Sequence, residues 1–283
     1  LAGTHRIVIY GKGGIGKSTV SSNLSMALAG RGLRVLHVGC DPKHDSTYTL
    51  VPEHPIPTLI DRFLADDIPA QGEELVVVGR RNIHCLEAGG PRPGTGCAGR
   101  GVLVATEVIG RAGLCDEGRY DVTLFDVVGD VVCGGFAAPL QKGLGDVVYI
   151  VVSEDIMSLY AGNNVARVVV EYADSGVRLG GVIVNRLSDP AGGPRMEEFA
   201  ARLGTRVVAA LPHAAELARA EYERIPLMEL LPQSAFCRGV EALADTVLKA
   251  EEGVVPTPLD EADFERFVRE VFYAPRRDTL GAG

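Results

Sequence analysis

The chain has 283 residues, 46% of them hydrophobic and 23% charged, which is ordinary for a globular protein and suffices for one large α/β domain or two small ones. A net charge of −9 argues against non-specific nucleic-acid binding, which needs a basic surface. No apolar run is long enough for a membrane span, and the first strand opens too soon for a secretion signal, so a cytoplasmic protein is expected.

In chain order, residues 6–10 (Arg-Ile-Val-Ile-Tyr) read as a buried strand. Gly11-Lys12-Gly13-Gly14-Ile15-Gly16-Lys17-Ser18 follows and fits the phosphate-loop pattern G-x-x-x-x-G-K-[ST]. Leu24 and Leu28 then recur at helical spacing up to about Gly30. A strand, a glycine loop and a helix start place backbone N–H groups around an anion at the positive end of a helix. The cradle expected here is Gly13, Gly14, Ile15, Gly16, Lys17, Ser18 and Thr19. Lys17 reaches the β/γ-phosphates and Ser18 ligates Mg²⁺. Lys12 is an additional lysine inside the loop.

A second strand, 34–38, leads into Gly39-Cys40-Asp41-Pro42-Lys43-His44-Asp45-Ser46-Thr47. Ligands of open α/β sheets bind at the carboxyl ends of strands. Asp41, Lys43 and Asp45 are therefore candidates for water positioning and phosphate sensing, although a solvated turn would carry the same residues. After the strands 83–86 and 121–125, Asp126 is placed to hold Mg²⁺ through its water shell, or is simply a strand-ending aspartate. Asp130 lies four residues on, in a loop that could move when a γ-phosphate leaves.

Strands follow at 147–152, 180–184 and 206–210, and helices are expected near 18–29, 102–113, 157–173, 195–203 and 235–250. Continuous apolar strands alternating with helices predict a mostly parallel twisted sheet covered on both faces. Residues 188–194 read as a loop. A break near 253–258 precedes an amphipathic helix at 260–272. The domain reading is one unit, 1–255, with a tail, 256–283.

Six cysteines occur, at 40, 85, 97, 115, 133 and 237, with no C-x-x-C pair. Cys97 and Cys133 sit in glycine-rich surroundings, Gly96-Cys97-Ala98-Gly99-Arg100-Gly101 and Val132-Cys133-Gly134-Gly135-Phe136. Glycines let backbone N–H groups approach sulfur closely. A [4Fe–4S] cluster needs four thiolates, and two per chain suffice if two chains share one cluster about a twofold axis. On spacing alone, two cysteines so far apart are more often unrelated.

Residues 11–18, 39–47, Glu87-Ala88-Gly89-Gly90-Pro91, 94–101 and 126–136 together resemble the nitrogenase iron protein family, over nearly the whole chain. The resemblance implies a P-loop NTPase of the deviant Walker A type, with Lys12 as the signature lysine reaching across a homodimer to the other nucleotide. It implies one [4Fe–4S] cluster held by Cys97 and Cys133 of both subunits, and MgATP bound by each subunit at Lys17, Ser18 and Asp41. Asp41 would assist water attack, Lys43 and Asp45 would report the γ-phosphate, and 126–133, with Asp126 and Asp130, would be the switch linking nucleotide to cluster. Asn185 would contact adenine, although an ordinary strand-end residue reads the same. Arg100 would lie on the docking face beside the cluster. The tail would pack on the dimer. The implied activity is that of an ATP-hydrolysing electron donor. Its partners would be a larger nitrogenase-like catalytic component with its own metal centres and an upstream ferredoxin or flavodoxin, with no nucleic acid and no membrane.

Motifs of several branches are mixed. Asp41-Pro42-Lys43-His44-Asp45-Ser46-Thr47 and Gly134-Gly135-Phe136-Ala137-Ala138-Pro139-Leu140 resemble protochlorophyllide-type proteins. Ser158-Leu159-Tyr160-Ala161-Gly162-Asn163-Asn164 and Val255-Pro256-Thr257-Pro258 resemble true nitrogenase iron proteins. Leu140-Gln141-Lys142-Gly143-Leu144-Gly145 stands where the nitrogenase pattern has a basic docking run. The expectation is a reductase outside the pigment and nitrogen-fixing branches, methylthio-alkane reductase first, with the nitrogenase and the protochlorophyllide or chlorophyllide iron proteins as alternatives. The rival from another class is a non-redox deviant Walker ATPase for partitioning or cluster delivery. His5, His37, His54, His84 and His213 show no metal-ligand spacing and read as structural or solvated, as do the remaining four cysteines.

Overall fold

The computed structural model describes residues 4–69, 72–90, 97–129, 134–188, 192–249 and 253–273. Its eight strands are β1 (His5–Tyr10), β2 (Val35–Cys40), β3 (Val77–Val78), β4 (His84–Glu87), β5 (Val122–Val127), β6 (Val147–Val152), β7 (Arg178–Leu187) and β8 (Val207–Pro212). They form one sheet in the order β3-β4-β2-β5-β1-β6-β7-β8. Every pairing is parallel except β3 with β4. Burial on both faces explains the uninterrupted apolar runs.

The period-two alternation of each strand divides the core. Val8 and Tyr10 of β1, with Leu36 and Val38 of β2, face one layer of helices: α3 (Ala98–Arg111), α5 (Ile156–Glu171), α6 (Gly193–Arg202) and α10 (Glu261–Phe272). Ile7 and Ile9, with Val35, face the other layer, formed by α1 (Lys17–Gly30) and α9 (Ala235–Leu248). The order of β2, β5 and β1 places the ends of three strands side by side, with residues 11, 41 and 126 just at or beyond them.

Sequence propensity places the start of α3 near 102, yet the helix begins at Ala98. Gly99 and Gly101 are poor helix formers, but tight packing needs Gly101. A Cβ on Gly101 would meet the Gly89 carbonyl oxygen at 2.9 Å. Four short helices carry too little periodicity to stand out in the sequence: α2 (Leu59–Leu64), α4 (Ala138–Gln141), α7 (Glu216–Glu223) and α8 (Leu227–Leu230). Two-residue β3 is hidden for the same reason.

The break near 253–258 is tied down. Val254 bridges antiparallel to Leu179, and the Leu259 N–H donates to Asn163 Oδ1 at 2.8 Å. The Asn163 amide and Arg167 guanidinium donate back to the Leu259 carbonyl. Phe264 and Phe267 of α10 are buried, and Phe267 packs on Phe199 of α6 with ring centroids 5.8 Å apart. Among the described residues, no helix is long and apolar enough to cross a membrane.

Candidate functional site

The loop between β1 and α1 turns on Gly14 and Gly16, whose φ values of 79° and 85° are left-handed and cheap only for glycine. No side chain caps α1, so its first N–H groups stay available to an anion. Over this turn lies a cavity of about 530 Å³ lined by Lys12, Gly13, Gly14, Gly16, Lys17, Ser18 and Thr19, with Asp41, Lys43, Asp45 and Ser46 on the opposite wall. Ile15 differs from its neighbours. Its side chain is buried in the α1–α9 core, and its carbonyl accepts from Asn185 Nδ2 at 2.7 Å.

Charge in the cavity is arranged in pairs. The Lys17 ammonium, 5% exposed, donates to Asp126 Oδ1 at 2.5 Å. Ser21 donates to the same oxygen at 3.2 Å, and Ser46 donates to Oδ2 at 2.5 Å. Burial alone would raise the Asp126 carboxyl. Lys17 and the Ser46 hydroxyl outweigh it and hold the group below the usual carboxylate range. Asp41 is buried and folds its loop by accepting the Lys43 N–H at 2.9 Å. Asp45 sits at the rim, where desolvation, followed by Asp41 and Asp126, raises its carboxyl. Lys12 lies 3.9 Å from Asp155, which caps α5.

Asn185 ends in a smaller cavity of about 280 Å³ that shares Gly16 and Thr19 with the first. Its Oδ1 is buried without a hydrogen-bond partner. An orphaned acceptor beside a phosphate cradle fits a ligand that carries an amino group, as adenine does.

Backbone contacts join this cavity to the cysteine side of the molecule. A Cβ on Gly129 would lie 2.4 Å from the Gly11 carbonyl oxygen, so the segment after Asp126 rests directly on the phosphate loop. The buried Tyr10 hydroxyl donates to the Phe136 carbonyl at 2.8 Å. A Cβ on Gly135 would lie 2.3 Å from the Gly99 carbonyl oxygen. The two glycine-rich cysteine segments, remote in sequence, therefore meet backbone to backbone. Cys97 is exposed and immediately precedes α3, which no side chain caps. Asp130 and Cys133 lie outside the described residues.

The family profile described as "4Fe-4S iron sulfur cluster binding proteins, NifH/frxC family" matches residues 5–273. The chain belongs to this family. It is 39% identical to the nitrogenase iron protein of Methanospirillum hungatei over 285 residues, covering 98% of each chain. It is 43% identical to nitrogenase iron protein 2 of Methanothermobacter thermautotrophicus, covering 94% of this chain and 97% of that one. Among solved structures, the cell-division ATPase MinD of Pyrococcus furiosus shares the fold at TM-score 0.67 and 26% identity, covering 88% of this chain and all of that one. MinD of Pyrococcus horikoshii, complexed with Mg-ADP, does so at TM-score 0.66 and 24% identity, over 87% of this chain and 98% of that one. This NifH/frxC-family chain is thus an iron–sulfur protein built on a P-loop ATPase fold.

The chain fits a shared cluster chemically. Its exposed cysteine sits at an uncapped helix N-terminus, which favours a thiolate. Among the described residues no group of three or more His, Cys, Asp or Glu could hold a metal ion. Arg100 is exposed one turn into α3, beside Cys97. Cys40, Cys85, Cys115 and Cys237 are buried in the body of the protein. Sequence reasoning passed over Ser21, Ser46 and His37. Ser46 stood inside the quoted loop, and His37 interrupts an otherwise apolar strand, which was the available signal.

Proposed function

We propose that this protein is an ATP-hydrolysing electron donor, a homodimer that shares one [4Fe–4S] cluster and reduces a larger nitrogenase-like catalytic component. The observation that carries the reading is the backbone chain from Gly11 to Gly129 and from Tyr10 to Phe136, which connects the nucleotide cavity to the cysteine edge. When bound, the cluster supplies the electron and MgATP the free energy that commits its transfer.

This chain's residues divide the work. Lys17, Ser18 and the backbone of 13–19 bind and orient the phosphates. Lys17 is shared between phosphate and Asp126, so nucleotide occupancy is felt directly by the start of the 126–133 segment. Asp41 orients the attacking water, Lys43 and Asp45 follow the phosphate state, and Lys12 completes the partner's site. Asn185 accepts from the base. Cys97 and Cys133 of both subunits hold the cluster, Asp130 belongs to the moving segment, and Arg100 meets the catalytic partner. Hydrolysis then biases a two-state element that both sites sense. Among the described residues of the tail, the outer face of α10 is left for the dimer.

The branch we propose is methylthio-alkane reductase. Its support lies at 140–145, where Leu140 is buried and Lys142 is paired with Glu107 of α3 at 3.4 Å. A basic docking patch is thereby absent from that stretch, and rim charge governs partner choice. Anaerobic purification tests the main reading. The protein should be brown, dimeric and bleached by air, and a colourless monomeric ATPase would overturn it. Anaerobic capture of the native partner, with identification of its large subunits, tests the branch. Nitrogen-fixing subunits in the capture would overturn the branch assignment.

A further inference from the structure

A buried polar chain enters the nucleotide site from the side away from the cavity. Ser25 on α1 lies 2.9 Å from His37 Nδ1, His37 Nε2 lies 2.8 Å from Ser46 Oγ, and Ser46 Oγ lies 2.5 Å from Asp126 Oδ2. All four residues are at most 2% exposed. The Lys17-paired carboxylate of Asp126 can only accept. Ser46 must therefore spend its one O–H on Asp126 and accept from His37. That places the imidazole proton on Nε2 and leaves Nδ1 to accept from Ser25. Every donor in the chain points toward Asp126.

We infer that His37 is a positioning residue of the nucleotide site: its Nε2–H fixes the Ser46 hydroxyl as a donor to Asp126 and so holds the magnesium-side carboxylate and the 41–47 loop in one register. Burial is the main reason that the imidazole pKa is pushed down to about 4, so the ring stays neutral as the chain requires. Without that donor, nothing holds the Ser46 oxygen against β2, and its hydroxyl is free to move away from Asp126. The carboxylate then keeps only the oxygen that Lys17 and Ser21 hold, and Lys17 is the partner that a bound phosphate shares. The consequence falls on the magnesium-dependent part of nucleotide binding.

The inference rests on the reading of Asp126 as the magnesium-side carboxylate. Its test compares ATP affinity with Mg²⁺ and with EDTA in wild type, His37→Gln, His37→Asn and His37→Leu. Glutamine puts an N–H where Nε2 stands, whereas asparagine replaces only the Nδ1 side. The magnesium-dependent gain in affinity should fall about tenfold or more in the Asn and Leu variants, the size of one hydrogen bond to a charged group. It should stay within about twofold of wild type in His37→Gln. Equal losses in Gln and Asn, or equal losses with and without Mg²⁺, overturn the inference. No magnesium dependence in wild type overturns the reading of Asp126 and the inference with it. A second measurement needs no variant: ¹⁵N-histidine NMR of the intact protein should show His37 as the Nε2–H tautomer, and an Nδ1–H tautomer or imidazolium overturns the chain of donors.

Discussion

Two helix starts lie at the carboxyl-end side of the sheet without a side-chain cap, α1 after Gly16 and α3 after Cys97. Thr58, Asp155, Ser234 and Asp260 cap α2, α5, α9 and α10 with side chains, whereas α4, α6, α7 and α8 also go without one. Both starts keep N–H groups for a ligand. They differ in how the ligand's charge is met. At α1 the chain buries Lys17 against an aspartate and two serines, so these charges are paired within one copy. At α3, among the described residues, one thiol stands exposed beside an arginine. The first site is prepared by burial; in the function proposed above, the second is closed by the thiolates of a symmetry-related copy.

Cysteine substitution should break this comparison most completely. Cys97→Ser or Cys133→Ser should give a colourless protein that still binds ATP, checked by visible absorbance and EPR alongside nucleotide titration. Next come Lys12→Ala and Asp41→Asn. Each should cut ATP-coupled reduction by about a hundredfold or more while the cluster signal stays; undiminished coupled turnover in either would contradict its role. Gly129→Ala should weaken the link between the two helix starts, because the added methyl must displace the phosphate-loop backbone. A loss of about 1–3 kcal/mol in stability and a smaller MgATP-induced change in the cluster spectrum are expected. Tyr10→Phe removes one buried hydrogen bond and should cost about 1 kcal/mol in thermal or denaturant unfolding.

The smallest effect concerns pH. Burial pushes the Glu87 carboxyl up to about 8 from an ordinary 4.5, against the pull of its bonds from Thr47. Between those values the folded protein keeps a proton that the unfolded chain has lost. Glu87 therefore contributes stability that is complete below the unfolded pKa and declines as pH rises through the window. Glu87→Gln should flatten that part of the stability-versus-pH curve, measured by melting temperature at fixed ionic strength. An unchanged slope would mean that Glu87 is ionised at neutral pH.

Much of the nucleotide site was legible because it is local. A strand, a glycine loop and a helix lie within about one βα unit, so Gly16, Lys17 and Ser18 could be assigned from order alone. The carboxyl-end rule then drew in Asp41 and Asp126 from two other strands. Ile15 shows the limit of a motif: it stands in the phosphate-loop pattern, but its side chain serves the core and its carbonyl serves Asn185. The sequence places the start of α3 too late because propensity penalises Gly99 and Gly101, whereas close backbone approach requires Gly101.

By itself the sequence determined the alternation of buried strands and helices, the phosphate loop and the spacing of the two cysteine segments, since periodicity and short motifs are local properties of a chain. Only the tertiary structure decided that Gly129 rests on Gly11, that Gly135 rests on Gly99, and that Ser25, His37 and Ser46 align their donors on Asp126. Those contacts join residues from different strands and helices. Their geometry depends on the sheet order β2-β5-β1 and on burial that forces every polar group to find a partner.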